Sequence, residues 1–301
     1  MAKLNGPAAG TMLTEITPLI LTYNESPNLR RVLDKLQWAH QIVVVDSGSS
    51  DETLEIAASF AQVHVIHRTF DTFANQCNFG LDQVTSPWVL SMDADYVLRA
   101  EFVQELDVLT PPPDVCGYRA AFRYCIGGHP LRGTLYPPRT VLYRRERARY
   151  RDEGHGHRVH IDGRVLSLHS RIFHDDRKPL NRWLDSQRKY AEMEAREFIE
   201  RPNERSSMAD RLRSWIWPAA PAALCYTLLV KGCLLDGWPG WCYALQRTYA
   251  EILLSLHLLE YRLGSGGKAN RSGESVRTYI GKPGSRREGD TDALMHGPKD
   301  H

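Results

Sequence analysis

Two carboxylates one residue apart, Asp93 and Asp95, have the spacing that most directly indicates chemistry in this sequence. They follow Trp88-Val89-Leu90-Ser91-Met92, a mostly apolar run that predicts a buried strand. In open α/β sheets, ligands bind at the edge where such strands end. Two carboxylates that face one spot repel each other unless a cation lies between them, and Mg²⁺ or Mn²⁺ accepts such oxygen ligands. The triplet therefore predicts a metal-nucleotide site, with two solvated acids at the start of a loop as the alternative.

The elements around this triplet alternate between strands and helices. Strands are predicted at 16–22, 41–45, 63–67 and the Trp88 run, and helices after Ser26-Pro27, after Ser50 or Asp51, and over 75–81. This alternation predicts an α/β fold with a mainly parallel sheet. Asp46, at the end of the second strand, would then share an edge with Asp93 and Asp95.

Four short motifs occur in order on these elements: Tyr23-Asn24-Glu25, Asp46-Ser47-Gly48-Ser49-Ser50-Asp51, a segment at 75–80, and Asp93-Ala94-Asp95. Together they resemble the nucleotide-sugar half of the inverting glycosyltransferases of family 2, which have the GT-A fold. The resemblance implies a Rossmann-like sheet with helices on both faces and a nucleotide-sugar donor, most simply a UDP-sugar. The residues it assigns to the donor are Tyr23, Asn24, Glu25, Asp46, Ser47, Gly48, Asp51, Asn75 and Asp93.

The resemblance also implies individual roles for the acidic residues. Asp46 would bind the base, Glu25 would lie beside it near the ribose, and Asp93 would contact the ribose or a metal-bound water. Asp95 would bind Mg²⁺ or Mn²⁺, with Asp93 and His174 as the other metal residues. A divalent cation is reasonable here, because it offsets the charge that a diphosphate leaving group gains.

His174 and Asn78 each have a structural alternative. His174 ends an apolar stretch at 165–173 and precedes two aspartates, so it is either a metal ligand or a cap of the next helix. Asn78 lies in the third predicted helix, and we expect it to be a structural residue rather than a ligand.

A glycine-flanked loop, Asp152-Glu153-Gly154-His155-Gly156-His157, contains the candidates for the catalytic base. Inverting transfer needs a base that takes the proton of the acceptor hydroxyl. The resemblance favours Glu153, then Asp152. His157 is a third candidate, because it occupies a glutamate position of the family when the following Arg-Val is aligned. A zinc site of His155, His157 and His160 is disfavoured, because their spacing does not place them on one face.

A second group of motifs, His174 to Leu180, Arg182-Trp183 and Tyr190-Ala191, resembles a subgroup that includes lipopolysaccharide core glucosyltransferases of the WaaE type. This resemblance implies a lipid-linked or lipopolysaccharide-type glycan acceptor. Processive members of the family carry Gln-x-x-Arg-Trp, and here Pro179 stands in place of the glutamine. The departure favours transfer of a single sugar.

Size and composition limit the remaining possibilities. A chain of 301 residues can hold one large α/β domain and an appendage, and a net charge of +2 does not indicate nucleic acid as a partner. We expect an extension at 1–15, a catalytic domain at 16–200 (nucleotide-sugar half 16–98, acceptor half 99–178), helices at 201–263 and a disordered tail at 264–301. Within the acceptor half, the stretches at 117–126 and 135–143 are β-like without clear helices, which is consistent with a hairpin-rich region. The six cysteines are scattered, which fits a reducing cytoplasm.

Arginines crowd the region at 139–151, where a solvated face is the default interpretation and contact with a diphosphate or an anionic lipid is the alternative. Two apolar runs follow, at 215–230 and 238–259, joined by a predicted turn at 237–240. Both are interrupted by prolines or charges, and tryptophans lie at their ends. This pattern predicts peripheral attachment to the cytoplasmic face of the plasma membrane. Packing against the catalytic domain, or a dimer contact, is the alternative.

Two other functions compete with glycosyl transfer. A haloacid-dehalogenase-type phosphatase would use Asp93 as its nucleophile, but the sequence has no later Gly-Asp-x-x-x-Asp loop to hold Mg²⁺. A non-catalytic, membrane-bound scaffold would keep the fold without the chemistry. A dinucleotide oxidoreductase is disfavoured, because no G-x-G-x-x-G follows the first strand.

Overall fold

The computed structural model describes residues 10–153, 156–200 and 208–268. The strands are β1 (Ile16–Thr22), β2 (Ile42–Asp46), β3 (Val63–His67), β4 (Trp88–Asp93), β5 (Tyr96–Val97), β6 (Val115–Ile126), β7 (His129–Pro130), β8 (Arg139–Arg144), β9 (Ala148–Glu153), β10 (Gly156–Ile161) and β11 (Arg164–His174). The α-helices are α1 (Leu29–Leu33), α2 (Thr53–Ala58), α3 (Phe73–Gln83), α4 (Ala100–Asp107), α5 (Leu180–Glu200), α6 (Met208–Ser214), α7 (Ala219–Cys225) and α8 (Trp238–Lys268). The predicted N-terminal extension and C-terminal tail lie largely outside the described residues.

The main sheet has the strand order β3-β2-β1-β4-β8-β6-β11-β5. Strands β1 to β4 are mutually parallel, whereas β8 runs antiparallel to both β4 and β6. Strand β11 returns parallel to β6, and β9 and β10 form a separate hairpin. The predicted α/β fold is therefore confirmed, but the sheet is mixed, and only its first four strands are the parallel set that the sequence indicates.

The central strands β1 and β2 are apolar because both of their faces are covered. Ile20, Val43, Val44 and Val45 are completely buried. Helices α1 and α4 contribute to the apolar cluster on one face, and α3 contributes to the cluster on the other. This packing confirms helices on both faces and holds the carboxyl ends of β1, β2 and β4 at one edge.

In the catalytic domain, the helix predicted after Ser26-Pro27 is present but begins later, at Leu29, and another helix is not predicted. Helix α1 does not begin after Ser26, because the backbone N–H groups of Asn28 and Leu29 both donate to the carbonyl of Glu25 and close a turn first. Helix α4, which packs Phe102 and Leu106 into the core, lies outside the β-like stretches at 117–126 and 135–143 and has no counterpart among the predicted elements. Polar residues at the exposed positions of α4 hide this short amphipathic pattern.

The C-terminal helices pack on α5 and on the acceptor half of the sheet. Arg213, in the last turn of α6, is buried and donates two hydrogen bonds to Glu251 of α8, at 2.6 and 3.1 Å, and one to Glu194 of α5, at 3.2 Å. The Tyr243 hydroxyl of α8 accepts a hydrogen bond from the backbone N–H of Leu135 at 3.0 Å. Part of the surface of these helices therefore packs against the catalytic domain, as the alternative interpretation predicts.

The segment at 237–240 is not a turn. Helix α8 begins at Trp238, after Gly237 with a positive φ of 65°, and continues to Lys268, past the predicted boundary at 263. Pro239 is accommodated because the first turn of a helix does not need its N–H groups for internal hydrogen bonds. No helix in the described ranges is both long enough and apolar enough to cross a membrane.

Replacement of Gly80 by alanine tests the close packing of α3 on the sheet. A β-carbon there would lie 2.6 Å from Cδ1 of Leu19 and 3.1 Å from Cγ2 of Val45. Because both neighbours are buried, we expect Gly80→Ala to lower the free energy of unfolding by about 1–3 kcal/mol in urea titrations. Gly264→Ala, where nothing lies within 4 Å of the added carbon, is the matched control. An equal effect of both substitutions would contradict the packing.

Candidate active site

The loop after β2 is shaped by Asp46, which is completely buried. One of its carboxylate oxygens accepts hydrogen bonds from the backbone N–H groups of Gly48 and Ser49, at 2.9 and 2.8 Å. The other accepts from the hydroxyls of Thr22, at 2.8 Å, and Ser49, at 2.5 Å. Asp46 thus holds its own loop in place. Its contact with a nucleotide base stays a prediction.

The loops after β1 and β2 are bonded to each other through Asn24. Its side-chain oxygen accepts from the backbone N–H of Ser50 at 2.7 Å, and its own N–H donates to the Ser49 hydroxyl at 2.8 Å. Asn24 has a φ of 53°, a conformation that asparagine adopts more readily than most residues. Asp51 adds a contact by accepting from the backbone N–H of Ser26 at 3.1 Å. Two of the four sequence motifs therefore form one rigid unit.

Glu25 lies at the buried end of this unit. Its side chain is 2% exposed and contacts the ammonium group of Lys178, whose side chain is 3% exposed, at 2.5 Å. The side chain of Asn28 donates to its other oxygen at 3.0 Å. Burial raises the pKa of Glu25 to about 7; Lys178 opposes this shift, and the carboxylates of Asp95 and Asp176 add to it.

The segment that follows β11 binds the loop after β1 from the other side. Arg182 donates to the backbone carbonyls of Asn24, at 2.5 Å, and Tyr23, at 2.9 Å. Asp175 accepts from Arg31 of α1 at 2.7 Å, and the amide of Asn28 donates to Asp176 at 2.9 Å. The subgroup motif was the sequence signal for this segment. The sequence does not show that this segment contacts the loop after β1, because about 150 residues separate the bonded side chains from that loop.

Asp95 and His174 form the candidate metal centre. Both are about 1% exposed, and Nε2 of His174 lies 2.9 Å from Oδ2 of Asp95. The antiparallel pairing of β11 with β5 creates this contact by placing His174 opposite Tyr96. The rings of Tyr96, Tyr124 and Tyr136 surround the imidazole, with centroids 4.7–5.6 Å away.

This pair fits a divalent cation. The carboxylate oxygen of Asp95 is a donor that suits Mn²⁺ and Mg²⁺, the imidazole of His174 is a softer donor than these ions prefer, and Mg²⁺ commonly takes its remaining ligands from substrate phosphates and water. The described residues contain no cluster of three or more side chains of the metal-binding types. The structure therefore brings together two of the three predicted metal residues, while Asp93 faces a neighbouring cavity.

That cavity has a volume of about 460 Å³ and lies where β4 and β8 separate. Asp93 and Tyr96 line it on one side, and Arg139, Tyr150 and Arg158 on others. The hydroxyl of Tyr150 donates to Ser91 of β4 at 2.9 Å, which anchors the β9–β10 hairpin beside the strand.

The candidate bases lie at the turn of this same hairpin. Glu153 pairs with Gly156, and Asp152 pairs with His157, across β9 and β10. Only the backbone of these residues is described, and Gly154 and His155 lie outside the described residues. The assignment of the base to Glu153, Asp152 or His157 therefore stays a prediction.

Asn78 has the structural role that the sequence predicts. Its side-chain oxygen accepts from the backbone N–H of Tyr150, and its amide donates to the carbonyl of Tyr150, both at 3.0 Å. This pair of hydrogen bonds holds β9 against α3. Asn75, predicted as a donor ligand, lies at the start of α3 and donates to Asp71 at 3.0 Å. Ser47 accepts from Gln76 at 2.8 Å, which links the Asp46 loop to the same helix.

The raised pKa of Glu25 predicts a pH dependence of stability. Between about pH 4.5 and 7 the folded chain retains a proton that the unfolded chain has released, so the free energy of unfolding falls as the pH rises through this window. We expect a decrease of about 1–3 kcal/mol in wild type, measured by urea unfolding in the presence of EDTA, and a flatter profile in Glu25→Gln. Glu101→Gln, at an exposed position of α4, is the control. Equal slopes for wild type and Glu25→Gln would contradict the shift.

Part of this chain matches the model of a known protein family. Residues 19–160 match the model of Glycosyl transferase family 2. The lipopolysaccharide core biosynthesis glycosyltransferase LpsC of Rhizobium meliloti is 29% identical over 142 residues, which are 45% of this chain and 53% of that protein. An uncharacterized glycosyltransferase of Rickettsia conorii is 31% identical over 99 residues, 32% of this chain and 35% of its own length. The matched region thus spans between about a third and half of these relatives.

Among solved structures, residues 1–349 of TarS from Staphylococcus aureus, in complex with UDP-GlcNAc, superpose with a TM-score of 0.45 at 15% identity, covering 83% of this chain and 92% of that one. Glucosyl-3-phosphoglycerate synthase of Mycobacterium tuberculosis, in complex with Mn²⁺ and UDP-glucose, gives a TM-score of 0.31 at 18% identity over 38% of this chain and 45% of that one.

The family model includes all four sequence motifs in full and reaches the hairpin of the candidate bases. The mixed sheet with helices on both faces agrees with the GT-A fold that the motifs implied. Residues 19–160 of this chain therefore form a region that is similar to the glycosyltransferases of family 2.

Proposed function

We propose that this chain transfers a single sugar from a nucleotide-sugar donor, a UDP-sugar, to a lipid-linked or lipopolysaccharide-type glycan, with inversion and with the aid of a divalent cation. The observation that supports the proposal is the buried Asp95–His174 pair. It lies at the edge of the sheet where the loops after β1 and β2 also lie. The similarity to LpsC, a lipopolysaccharide core biosynthesis glycosyltransferase, supports the class of acceptor.

We assign the donor and the base that activates the acceptor to opposite sides of β4. The unit of Tyr23, Asn24, Glu25 and the Asp46 loop would hold the nucleoside. Asp95 and His174 would hold Mg²⁺ or Mn²⁺, which, when bound, offsets the charge of the diphosphate. On the other side of β4, the hairpin with Glu153, Asp152 and His157 would supply the base that takes the acceptor proton.

A phosphatase has less support, because the family match covers Asp93 and assigns it to a transferase domain. A non-catalytic scaffold would retain the same family match. Donor binding together with turnover separates the scaffold from the enzyme.

The experiment is thermal stabilisation by UDP-, GDP-, dTDP- and CMP-sugars, each with and without Mn²⁺. We expect stabilisation by one nucleotide class that requires the metal and is lost in Asp95→Ala, because ligand binding to the folded state raises the melting temperature. Metal-dependent release of the nucleoside diphosphate from the stabilising donor, abolished in Asp95→Ala, would exclude the scaffold.

Asp82→Ala is the matched control for this experiment. Asp82 is an exposed aspartate of α3 that bonds only Arg149 among the described contacts. The proposed donor site is wrong if no nucleotide sugar stabilises the wild type with or without Mn²⁺. It is also wrong if Asp95→Ala is stabilised by the nucleotide sugar as much as Asp82→Ala is.

We further propose that the C-terminal helices attach the protein peripherally to the cytoplasmic face of the membrane. Large apolar side chains are exposed there, among them Trp217 (83%), Trp215 (72%), Leu235 (69%) and Trp238 (61%). Tryptophan is enriched at membrane interfaces, and a set of exposed apolar side chains favours contact with a partner or a lipid surface.

Vesicle co-sedimentation tests this attachment. We expect Trp215→Ser/Trp217→Ser to bind phosphatidylethanolamine/phosphatidylglycerol vesicles at least about tenfold more weakly than wild type, because each buried apolar side chain contributes about 1.5–3 kcal/mol. Val108→Ser, which removes an exposed apolar side chain (78%) from the catalytic domain, is the control. If the wild type does not sediment with vesicles but dimerises through these tryptophans, membrane attachment is wrong and the exposed surface is a contact between two copies of the chain.

A further inference from the structure

We propose that the cavity between β4 and β8 binds an anionic group, a phosphate or a carboxylate, that the acceptor carries near the hydroxyl that is glycosylated. Arg119, Arg139 and Arg158 would bind this group. The inference rests on the proposed function and adds the chemical class of the acceptor: an acidic glycan rather than a neutral one.

The fold opens this cavity by separating two neighbouring strands. The pairing of β4 with β8 stops at Leu90 and Leu142, although β4 continues to Asp93 and β8 begins already at Arg139. The ends of the two strands diverge and leave the space of about 460 Å³ between them. The cavity is therefore a feature of the sheet itself and not a gap between loose surface loops.

A β-bulge or irregularity of register between β6 and β8 lies beside the same space. The register of β6 against β8 shifts between Tyr118, opposite Leu142, and Arg119, opposite Thr140. Bulges of this kind are frequent beside active sites, because they change the direction in which a side chain points. Arg119 lines the cavity and is exposed at residue level, so its guanidinium is accessible to a ligand.

The charge of the described lining favours an anion. Three of its residues, Arg119, Arg139 and Arg158, are arginines, and Asp93 provides its one carboxylate. Arg139 is held with its guanidinium carbon 5.0 Å from the centre of the Tyr136 ring. Arginine is suited to phosphate and carboxylate because its planar fork of donors can bind two oxygens at once.

The position of the cavity favours the acceptor over the donor as the source of this anion. In the strand order β2-β1-β4-β8-β6, the loops of the proposed nucleotide site follow β1 and β2, on one side of β4. The cavity lies on the other side of β4. Inverting transfer requires the acceptor to approach from the side opposite the diphosphate. The hairpin of the candidate bases also forms a wall of the cavity, through Tyr150 and Arg158. A hydroxyl in this cavity would lie beside the hairpin that contains the candidate bases.

Isothermal titration at constant ionic strength tests the inference with three probes that share one sugar ring: glucose, glucose 6-phosphate and glucuronic acid. We expect wild type to bind at least one of the two anions about tenfold or more tightly than glucose, and Arg119→Gln/Arg158→Gln to lose this preference. Each single variant should show an intermediate loss. Arg171→Gln, at an exposed position of β11 outside the lining, should retain the wild-type preference.

The nucleoside diphosphate that stabilises the protein distinguishes the two sources of anion. We expect the anionic sugar to bind equally well in its presence, and Arg119→Gln/Arg158→Gln to retain stabilisation by the nucleotide. Competition between the two ligands, or loss of nucleotide stabilisation in the variant, would place the arginines at the donor diphosphate and overturn the inference. A wild type without preference for either anion would also overturn it. If no nucleotide binds but the anion preference is present, the proposed function fails and the anion site stands.

Discussion

The contact between Glu25 and Lys178 is the interaction on which the candidate site depends most. It joins the loop after the first strand of the sheet to the segment after its last long strand, and both side chains are almost completely buried. Loss of one member of such a pair leaves an uncompensated buried charge, which costs about 3–5 kcal/mol. The pair therefore holds the nucleotide loops against the element that also presents His174. The donor loops and the metal centre are positioned together rather than independently.

A second constraint acts within the nucleotide half. The carboxylate of Asp46 uses four hydrogen bonds to shape its own loop, and Asn24 bonds that loop to its neighbour. A polar group that is buried with its hydrogen bonds made costs little, whereas one left without partners costs about 1–3 kcal/mol. The polar residues of these motifs are consequently required by the fold itself. A ligand would meet a surface that is already ordered.

The sequence was most informative where the signal was local. Strands β1 and β3 were predicted with their observed ends, and the structural role of Asn78 followed from its place in a helix. The mixed sheet was not predictable, because the antiparallel insertion of β8 depends on partners that are distant in the chain. The same limit applies to Lys178 and Arg182, whose partners lie about 150 residues earlier. Helix α4 was missed because eight residues give too short a periodic pattern to distinguish.

The change of direction within the sheet also divides its edge into two compartments. Parallel strands alone would end at a single continuous edge and offer one crevice. Because β8 runs antiparallel beside β4, the carboxyl end of β4 meets the amino end of β8, and the two diverge around Asp93. Asp95 then faces His174 in the buried candidate metal centre, while Asp93, two residues earlier, faces the arginine-lined cavity. The Asp93-Ala94-Asp95 motif thus lies at the boundary between the two compartments, which is where, under the proposed function, the transferred sugar would pass.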